Sequence, residues 1–298
     1  MRNSPRTLGN QSHKPQIHEL AELPYATRQG LLVHREVIED GANSVKTLVS
    51  IGRGGSGKTS FVALVAKYFI EKKETPLLLV DADPDQNLGE TVGITLEEQG
   101  KKSISELVIE TFIDGGGTTV GLPPSERIEA RIWEEGLYEG ELFDFMAVGP
   151  KWVEGCYCLP DASLKRALER LTKTYTYVLI DSPAGLEPLN RKITSRVDDF
   201  FDIIDPSKKS FEHVERAHRI TKEVGIDFKN FYIVGGYRFL KVLEPEVEGK
   251  TGLKYLGKIP YDRSVEEYCF TGRSLLDLPR SSPAYQSVKE ILAKAGYT

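Results

Sequence analysis

Short apolar runs alternate with longer amphipathic segments from about residue 45 to the end of the chain. Apolar runs bounded by turn-forming residues predict buried strands, whereas apolar positions three or four residues apart predict helices. The predicted strands lie at 47–51, 76–81, 142–148, 175–181, 200–204, 231–234 and 255–260. Strands that alternate with helices along the chain are typical of an α/β fold with a parallel sheet.

Helical periodicity is clearest in five segments, at 60–71, 104–112, 127–133, 164–171 and 284–295. In the last of these, Val288, Ile291, Leu292 and Ala295 share one face. That face has no large aromatic residue and the segment has only two lysines, so we expect a packed helix and not a membrane-binding one. The region 94–142 is harder to interpret because glycines at 115–117 interrupt its periodicity.

Residues 1–44 are polar and contain Pro5, Pro15 and Pro24. We interpret them as an N-terminal extension with at most one edge element, near Leu31–Val33. Residues 45–298 are predicted to form one domain, a size that a single large α/β domain reaches.

The composition is that of an ordinary soluble protein, with 40% hydrophobic and 28% charged residues among 298 and a net charge of −5. The acidic balance argues against a surface that follows DNA, since phosphate contacts need clustered Lys and Arg. There is no signal-peptide pattern and no apolar run of the roughly 20 residues that a membrane helix needs. We therefore expect a cytoplasmic protein that binds neither nucleic acid nor membrane.

A glycine-rich loop follows the first predicted strand and fits the pattern G-x-x-x-x-G-K-S/T. In such a loop, backbone N–H groups and the N-terminus of the next helix bind phosphates. Lys58 is expected to reach the β- and γ-phosphates, and Thr59 to ligate Mg²⁺. The predicted nucleotide-binding residues are Gly52, Arg53, Gly54, Gly55, Ser56, Gly57, Lys58, Thr59 and Ser60.

Two of the later strands end in aspartate, Asp81 and Asp181. The carboxyl ends of parallel strands are where α/β sheets bind ligands. Asp181 is expected to act as a Walker B acid, which helps Thr59 to hold Mg²⁺. Asp81 and the neighbouring Asp83 are both placed to meet phosphates, although Asp81 is equally suited to cap a helix or a turn.

Two cysteines, Cys156 and Cys158, lie in a loop just before a predicted helix. A helix N-terminus favours thiolate, the form that binds metal. Two thiolates leave a soft-metal site incomplete, but a twofold dimer would bring two pairs together. Alternatively, the two cysteines are simply small apolar residues that are buried in the core. Cys269 matches no motif and is expected to be packed.

The placement of Arg53 directly after the first glycine resembles the deviant Walker A loop of the MinD/ParA/nitrogenase-iron-protein group of ATPases. The resemblance implies a P-loop NTPase of the MinD type, with a doubly wound, mostly parallel sheet and helices on both faces. It also implies Mg²⁺-dependent ATP hydrolysis and a homodimer that forms on ATP or metal binding. In that group a lysine at the position of Arg53 reaches the partner's phosphates, and arginine keeps its charge; the alternative is a solvated loop arginine that contacts only its own chain. Asp83 matches the acid that positions the attacking water, which makes the catalytic set Arg53, Lys58, Asp83 and Asp181.

Longer stretches, at 145–158, 181–187, 206–210 and 257–262, resemble nickel-handling ATPases that mature carbon monoxide dehydrogenase and acetyl-CoA synthase. The resemblance implies a metallochaperone in which Cys156 and Cys158 bind Ni²⁺ between two subunits, with Zn²⁺ as a possible substitute in vitro. The client would be one of those two enzymes. The chain departs from the pattern at Pro183, at Pro188 and in the segment 235–238, which leaves the client and the recognition of adenine open.

Two alternatives to the metallochaperone follow from the same loop. One is a MinD/ParA-type switch that acts by binding a partner or a surface without metal. The other is an electron donor similar to the nitrogenase iron protein, although such donors usually space their cysteines far apart.

Overall fold

The structure is a computed structural model that describes residues 45–114, 124–149, 168–184 and 196–298. In these ranges eight strands form one sheet in the order β3-β4-β2-β5-β1-β6-β7-β8. Their bounds are β1 Lys46–Gly52, β2 Leu77–Asp81, β3 Tyr138–Glu139, β4 Asp144–Ala147, β5 Tyr177–Asp181, β6 Arg196–Ile204, β7 Asp227–Gly235 and β8 Lys254–Lys258. All neighbours are parallel except the two-residue β3, which is antiparallel to β4.

Eight α-helices with described bounds connect and cover these strands. They are α1 Lys58–Lys72, α2 Asn87–Val92, α3 Ile104–Ile109, α4 Pro124–Arg131, α5 Lys208–Glu223, α6 Val247–Thr251, α7 Arg263–Thr271 and α8 Pro283–Lys294. Residues 168–172 are helical as well. Short 3₁₀ segments lie at 97–99, 241–246 and 275–277, and π-helical segments at 110–114 and 132–136. No helix in the described ranges is long and apolar enough to cross a membrane.

Each face of the sheet has its own apolar core. On one face Leu48 of β1 belongs to a cluster with Phe61 of α1 and Val288 of α8. On the other face Val49 belongs to a cluster with Val214 of α5. Successive strand residues point to opposite faces, so a sheet covered on both sides needs strands that are apolar throughout. The predicted doubly wound, mostly parallel sheet with helices on both faces is confirmed.

Helix α1 is buried nearly all round, with every residue from Phe61 to Phe69 buried. A helix that is apolar on all sides belongs inside a protein. Here it contacts β1 and β5 on one side and α8 on another. In α8 the buried residues are Ala284, Tyr285, Val288, Ile291 and Leu292. The predicted packed terminal helix is therefore confirmed.

Strands β6 and β7 begin four residues before the predicted 200–204 and 231–234. Polar residues in their first halves hide the strand pattern in the sequence. These residues pair with one another across the sheet, where Lys229 Nζ lies 2.5 Å from Asp198 Oδ1 and Asn230 Nδ2 donates to Asp199 Oδ1 at 2.6 Å. Helix α2 and strand β3 were not predicted. The extension 1–44 and its possible edge element lie outside the described residues.

Candidate nucleotide site

The glycine-rich loop joins the end of β1 to the start of α1, as predicted. Gly52 has φ 139°, and a Cβ there would lie 2.5 Å from the carbonyl oxygen of Ile203. Gly57, at the N-cap of α1, has φ 99°. Backbone with positive φ, in close contact with a neighbouring strand, is accessible to glycine and strained for other residues. The loop thereby keeps a conformation in which its backbone and the α1 N-terminus face the carboxyl edge of the sheet.

Lys58 is buried at the first turn of α1. Its Nζ donates to the carbonyl oxygen of Arg53 at 3.1 Å, across the loop. Burial lowers the pKa of Lys58, while the charges of Asp181, Asp83 and Asp202 oppose that shift. The ammonium group is thus surrounded by acids at the place where a triphosphate is expected.

Asp181 ends β5 beside the glycine-rich loop. Its Cα pairs with that of Asp81, so β5 and β2 end at one level, and with that of Ser50, from which β1 continues for two more residues to Gly52. Thr59 Oγ1 donates to Asp181 Oδ2 at 2.6 Å, whereas Asp181 Oδ1 is buried without a hydrogen-bond partner. Burial raises the pKa of Asp181 to about 7. A hydroxyl and a carboxylate with an unused oxygen are the donors that Mg²⁺ prefers, so these residues fit a magnesium ion.

Asp81 and Asp83 have different surroundings. Asp81 is buried and accepts hydrogen bonds from the backbone N–H groups of Leu88 at 2.8 Å and Asp83 at 3.0 Å. Burial, and next the charge of Asp181, raise the pKa of Asp81 to about 7. Asp81 thus closes the turn after β2 and caps α2, in agreement with the capping alternative. Asp83 is half-buried, and the one hydrogen bond described for its carboxylate comes from Asp85 N at 3.1 Å.

The side chain of Arg53 contacts residues of its own chain. Its Nη1 donates to Ser207 Oγ at 2.9 Å and to Asp205 Oδ2 at 3.3 Å, in the loop after β6. Sequence reasoning did not assign these two partners, which are about 150 residues away along the chain. The contact of Arg53 with a partner's phosphates stays a prediction.

Sequence reasoning also missed Asp202, a fully buried acid in β6 whose Cα pairs with that of Ile51 at the end of β1. Neither of its carboxylate oxygens makes a hydrogen bond in the described part of the chain. His213 Nδ1 of α5 lies 3.6 Å from Oδ2, beyond hydrogen-bond distance. Burial raises the pKa of Asp202, against the charges of His213 and Lys58. An aspartate inside an apolar strand was the signal that could have identified it.

The segment after β7, to which the sequence assigned no role, packs against the loop. A Cβ at Gly236 would lie 2.3 Å from the carbonyl oxygen of Ser56, so only glycine allows this approach. The ring of Tyr237 is 3.7 Å from the position that a Cβ at Gly57 would take. The segment after β7 therefore packs against one side of the phosphate loop.

The predicted metal ligands Cys156 and Cys158 lie outside the described residues. Within the described ranges, no three His, Cys, Asp or Glu side chains come together as a metal site. Cys269, predicted to be packed, is exposed, and that prediction was wrong. Helix α7 buries only Tyr268 among its residues, so the neighbouring position faces outward.

Relatives with similar sequences carry the description of ATP-binding or accessory proteins. The chain is 33% identical over 250 residues to the uncharacterized ATP-binding protein MJ0685 of Methanocaldococcus jannaschii, which covers 82% of this chain and 95% of the relative. It is 27% identical over 258 residues to the carbon monoxide dehydrogenase accessory protein CooC of Rhodospirillum rubrum, with 82% and 93% covered.

Solved structures share the fold at lower identity. A ParA family ATPase from Chlorobium tepidum gives a TM-score of 0.63 at 16% identity, with 84% of this chain and 99% of that chain covered. The MinD cell division protein of Aquifex aeolicus gives 0.60 at 19%, with 85% and 97% covered. Residues 47–275 match the family described as CobQ/CobB/MinD/ParA nucleotide binding domain. With the phosphate loop and Asp181 in place on this fold, the chain belongs to the CobQ/CobB/MinD/ParA family of nucleotide-binding domains.

Proposed function

We propose that this protein is a Mg²⁺-dependent ATP hydrolase that works as a homodimer and delivers nickel to a client enzyme. The observation that carries the hydrolase part is the hydrogen bond from Thr59 to Asp181 beneath the phosphate loop, with one Asp181 oxygen unused. The nickel part is supported by the Cys156/Cys158 pair and by the similarity to CooC.

In the proposed complex, ATP binds to loop and helix groups that already face the carboxyl edge of the sheet. Backbone N–H groups of the loop and the N-terminus of α1 donate to the phosphates, and Lys58 moves from the carbonyl of Arg53 to the β- and γ-phosphates. Thr59 and Asp181 hold Mg²⁺, which when bound neutralises charge on the phosphate oxygens. Bringing these positive charges to the edge compensates the buried acids, so binding also relieves their mutual repulsion.

Hydrolysis then needs a water in line with the γ-phosphorus. Asp83, half-buried and close enough to Lys58 to affect its pKa, accepts a hydrogen bond from that water and orients it. The water oxygen forms a bond to the γ-phosphorus while the bond to the β–γ bridging oxygen breaks, which yields ADP and phosphate. Lys58 and the partner's Arg53 stabilise the charge on the transferring group, in a reaction that depends mainly on positioning and charge.

Nickel is the cargo of the proposed reaction. Two thiolates from each chain, Cys156 and Cys158, make a four-sulfur set across a twofold axis, a number that soft-metal sites require. ATP closes the dimer, and hydrolysis releases Ni²⁺ into a cluster of carbon monoxide dehydrogenase or acetyl-CoA synthase.

A nickel titration of the apo-protein, without oxygen and with or without ATP, tests the function. We expect one nickel ion for about two chains in the wild type, as a twofold site requires. Binding should be lost in Cys156→Ala/Cys158→Ala and kept in Cys269→Ala, a matched control at the exposed third cysteine. ATP turnover of the same samples, with Lys58→Ala as an additional variant, tests the hydrolase part.

The outcomes separate the two parts of the proposal. Normal turnover by Lys58→Ala would overturn the catalytic assignment of the phosphate loop, and absence of turnover in the wild type would overturn the hydrolase. Nickel binding that is absent, or indifferent to Cys156 and Cys158, would remove the metallochaperone and favour a MinD/ParA-type switch that acts through a partner or a surface.

A further inference from the structure

Arg53 is held by two separate contacts within its own chain. At its backbone, the carbonyl oxygen accepts from Lys58 Nζ at 3.1 Å. At its side chain, Nη1 donates to Ser207 Oγ at 2.9 Å and forms an ion pair with Asp205 Oδ2 at 3.3 Å. The Arg53 side chain is 37% exposed, so solvent and other molecules can reach it.

Asp205 is aimed at Arg53 by its local structure. Asp205 Oδ1 accepts from the backbone N–H of Ser207 at 2.8 Å, which leaves Oδ2 for the guanidinium. The backbone N–H of Asp205 donates to Ser210 Oγ at 3.0 Å. Ser207 is the N-cap of α5 and accepts from Ser210 N at 3.2 Å. Each group is thus oriented by the start of α5, so the arginine partners are preorganised.

We propose that Asp205 is an intrachain counter-ion that competes with the partner's triphosphate for Arg53, and so restrains dimerisation until ATP is bound. The inference rests on the proposed reach of Arg53 across the dimer. The chain's own ATP draws Lys58 away from the Arg53 carbonyl, and the partner's ATP draws the guanidinium away from Asp205. When both chains carry ATP, the Arg53 side chain of each can therefore bind the triphosphate of the other. Without ATP, Arg53 stays bound to Asp205 of its own chain.

The strength of the contact suits a restraint that ATP can overcome. A partly exposed ion pair contributes little because water and salt screen it and its long side chain loses freedom. A triphosphate with several negative charges attracts a guanidinium more strongly than one carboxylate does, and it accepts bidentate hydrogen bonds. Formation of one dimer breaks two Arg53–Asp205 contacts. We therefore expect that substitution of Asp205 lowers the dissociation constant of the ATP-dependent dimer by about 2-fold to 20-fold.

Sedimentation velocity over a series of protein concentrations measures that effect, with Mg²⁺ and a non-hydrolysable ATP analogue and without nickel. The variants are Asp205→Asn, Arg53→Ala and the two combined. Asn keeps an acceptor for Ser207 N and removes only the charge. Asp205→Ser, which also closes such a turn, is a second variant that should act in the same direction. Asp227→Asn, an exposed acid at the start of β7, is the control for the change in net charge.

We expect Asp205→Asn to tighten the dimer, Arg53→Ala to weaken it, and the effect of Asp205→Asn to vanish when Arg53 is absent. A dimer that is unchanged or weaker in both Asp205 variants, while Arg53→Ala weakens it, overturns this inference and leaves the proposed function intact. If Arg53→Ala leaves the dimer unchanged, the reach of Arg53 across the dimer is wrong, and the counter-ion role of Asp205 fails with it.

Discussion

Strand β6 carries buried aspartates near both of its ends, and their surroundings differ. At the first end Asp198 accepts from the backbone N–H of Thr47 at 2.8 Å and lies 2.5 Å from Lys229 Nζ. Asp199 accepts from Asn230 Nδ2 at 2.6 Å. A buried charge is tolerated when it is paired and hydrogen-bonded, so the chain itself compensates these acids.

At the other end, oxygens of Asp202 and Asp181 are buried without a hydrogen bond in the described part of the chain, although Asp181 Oδ2 accepts from Thr59 and His213 lies 3.6 Å from Asp202 Oδ2. Neither oxygen of Asp202 makes a hydrogen bond within the described residues, and the same holds for Asp181 Oδ1 in β5, on the other side of β1. Burial raises the pKa of both carboxyl groups. Acids with raised pKa values that gather at one edge are typical of functional sites. The comparison indicates that the chain itself compensates acids at the amino edge, whereas under the proposed function those at the carboxyl edge meet the cations that come with the nucleotide.

The largest expected effect separates the two ends by activity. Asp181→Asn keeps an acceptor for Thr59 but removes the charge that we propose to hold Mg²⁺, and we expect ATP turnover to fall by about 10² to 10³. Asp199→Asn, the matched loss of one buried charge at the amino edge, should leave turnover of the folded protein within about twofold. Phosphate release measured at saturating ATP compares them. Equal losses in the two variants would break the comparison.

The next effect separates the two ends by stability. Asp198→Ala removes the acceptor of the buried Thr47 N–H, and we expect the free energy of unfolding to fall by about 1–3 kcal/mol. Lys229→Ala leaves the buried Asp198 Oδ1 without its ion-pair partner and should also lower it, by about 1–3 kcal/mol. Urea titration followed by circular dichroism provides both values. A neutral Asp198→Ala would show that the amino-edge pairing contributes nothing to the fold.

The smallest effect concerns the pH dependence of stability. Because burial raises the pKa of Asp202 above its ordinary 3.8, the folded protein binds a proton that the unfolded chain releases. Wild-type stability should therefore fall as the pH rises above about 4, whereas Asp202→Asn lacks that decrease. We expect the stability advantage of the variant to grow with pH in thermal unfolding between pH 5 and pH 8. An advantage that shrinks as the pH rises would contradict the raised pKa of Asp202, and exposed Asp227→Asn serves as the control.

The parts of the site that depend on local sequence were predictable. The loop from Gly52 to Thr59 is one continuous motif, and its glycines follow from backbone geometry alone. Asp181 was predictable because an apolar strand that ends in an acid puts that acid at the ligand edge. The role of Asp81 was ambiguous, since a phosphate-site acid and a capping acid both lie at a strand end. Only the hydrogen bonds that it accepts from Leu88 N and Asp83 N identify the capping role.

The parts that depend on distant contacts were not predictable. Arg53 and Asp205 are separated by about 150 residues and meet because β1 and β6 are neighbours in the sheet. The starts of β6 and β7 were missed for the same reason: Asp198 and Asn230 are unfavourable in an isolated strand and acceptable when their partners face them. Cys269 was expected inside because free cysteine is usually buried, but α7 buries only Tyr268 and leaves Cys269 exposed.

By itself, the sequence determined the alternation of strands and helices, the phosphate loop and the acids at the strand ends, because hydrophobic period and backbone conformation are local properties. The tertiary structure decided which acids are compensated and which are left for a ligand. That outcome depends on strand order and register, which place Asp181 beside Thr59, Asp205 beside Arg53 and Lys229 beside Asp198. Charge compensation acts through space, so it is settled only when distant parts of the chain have packed together.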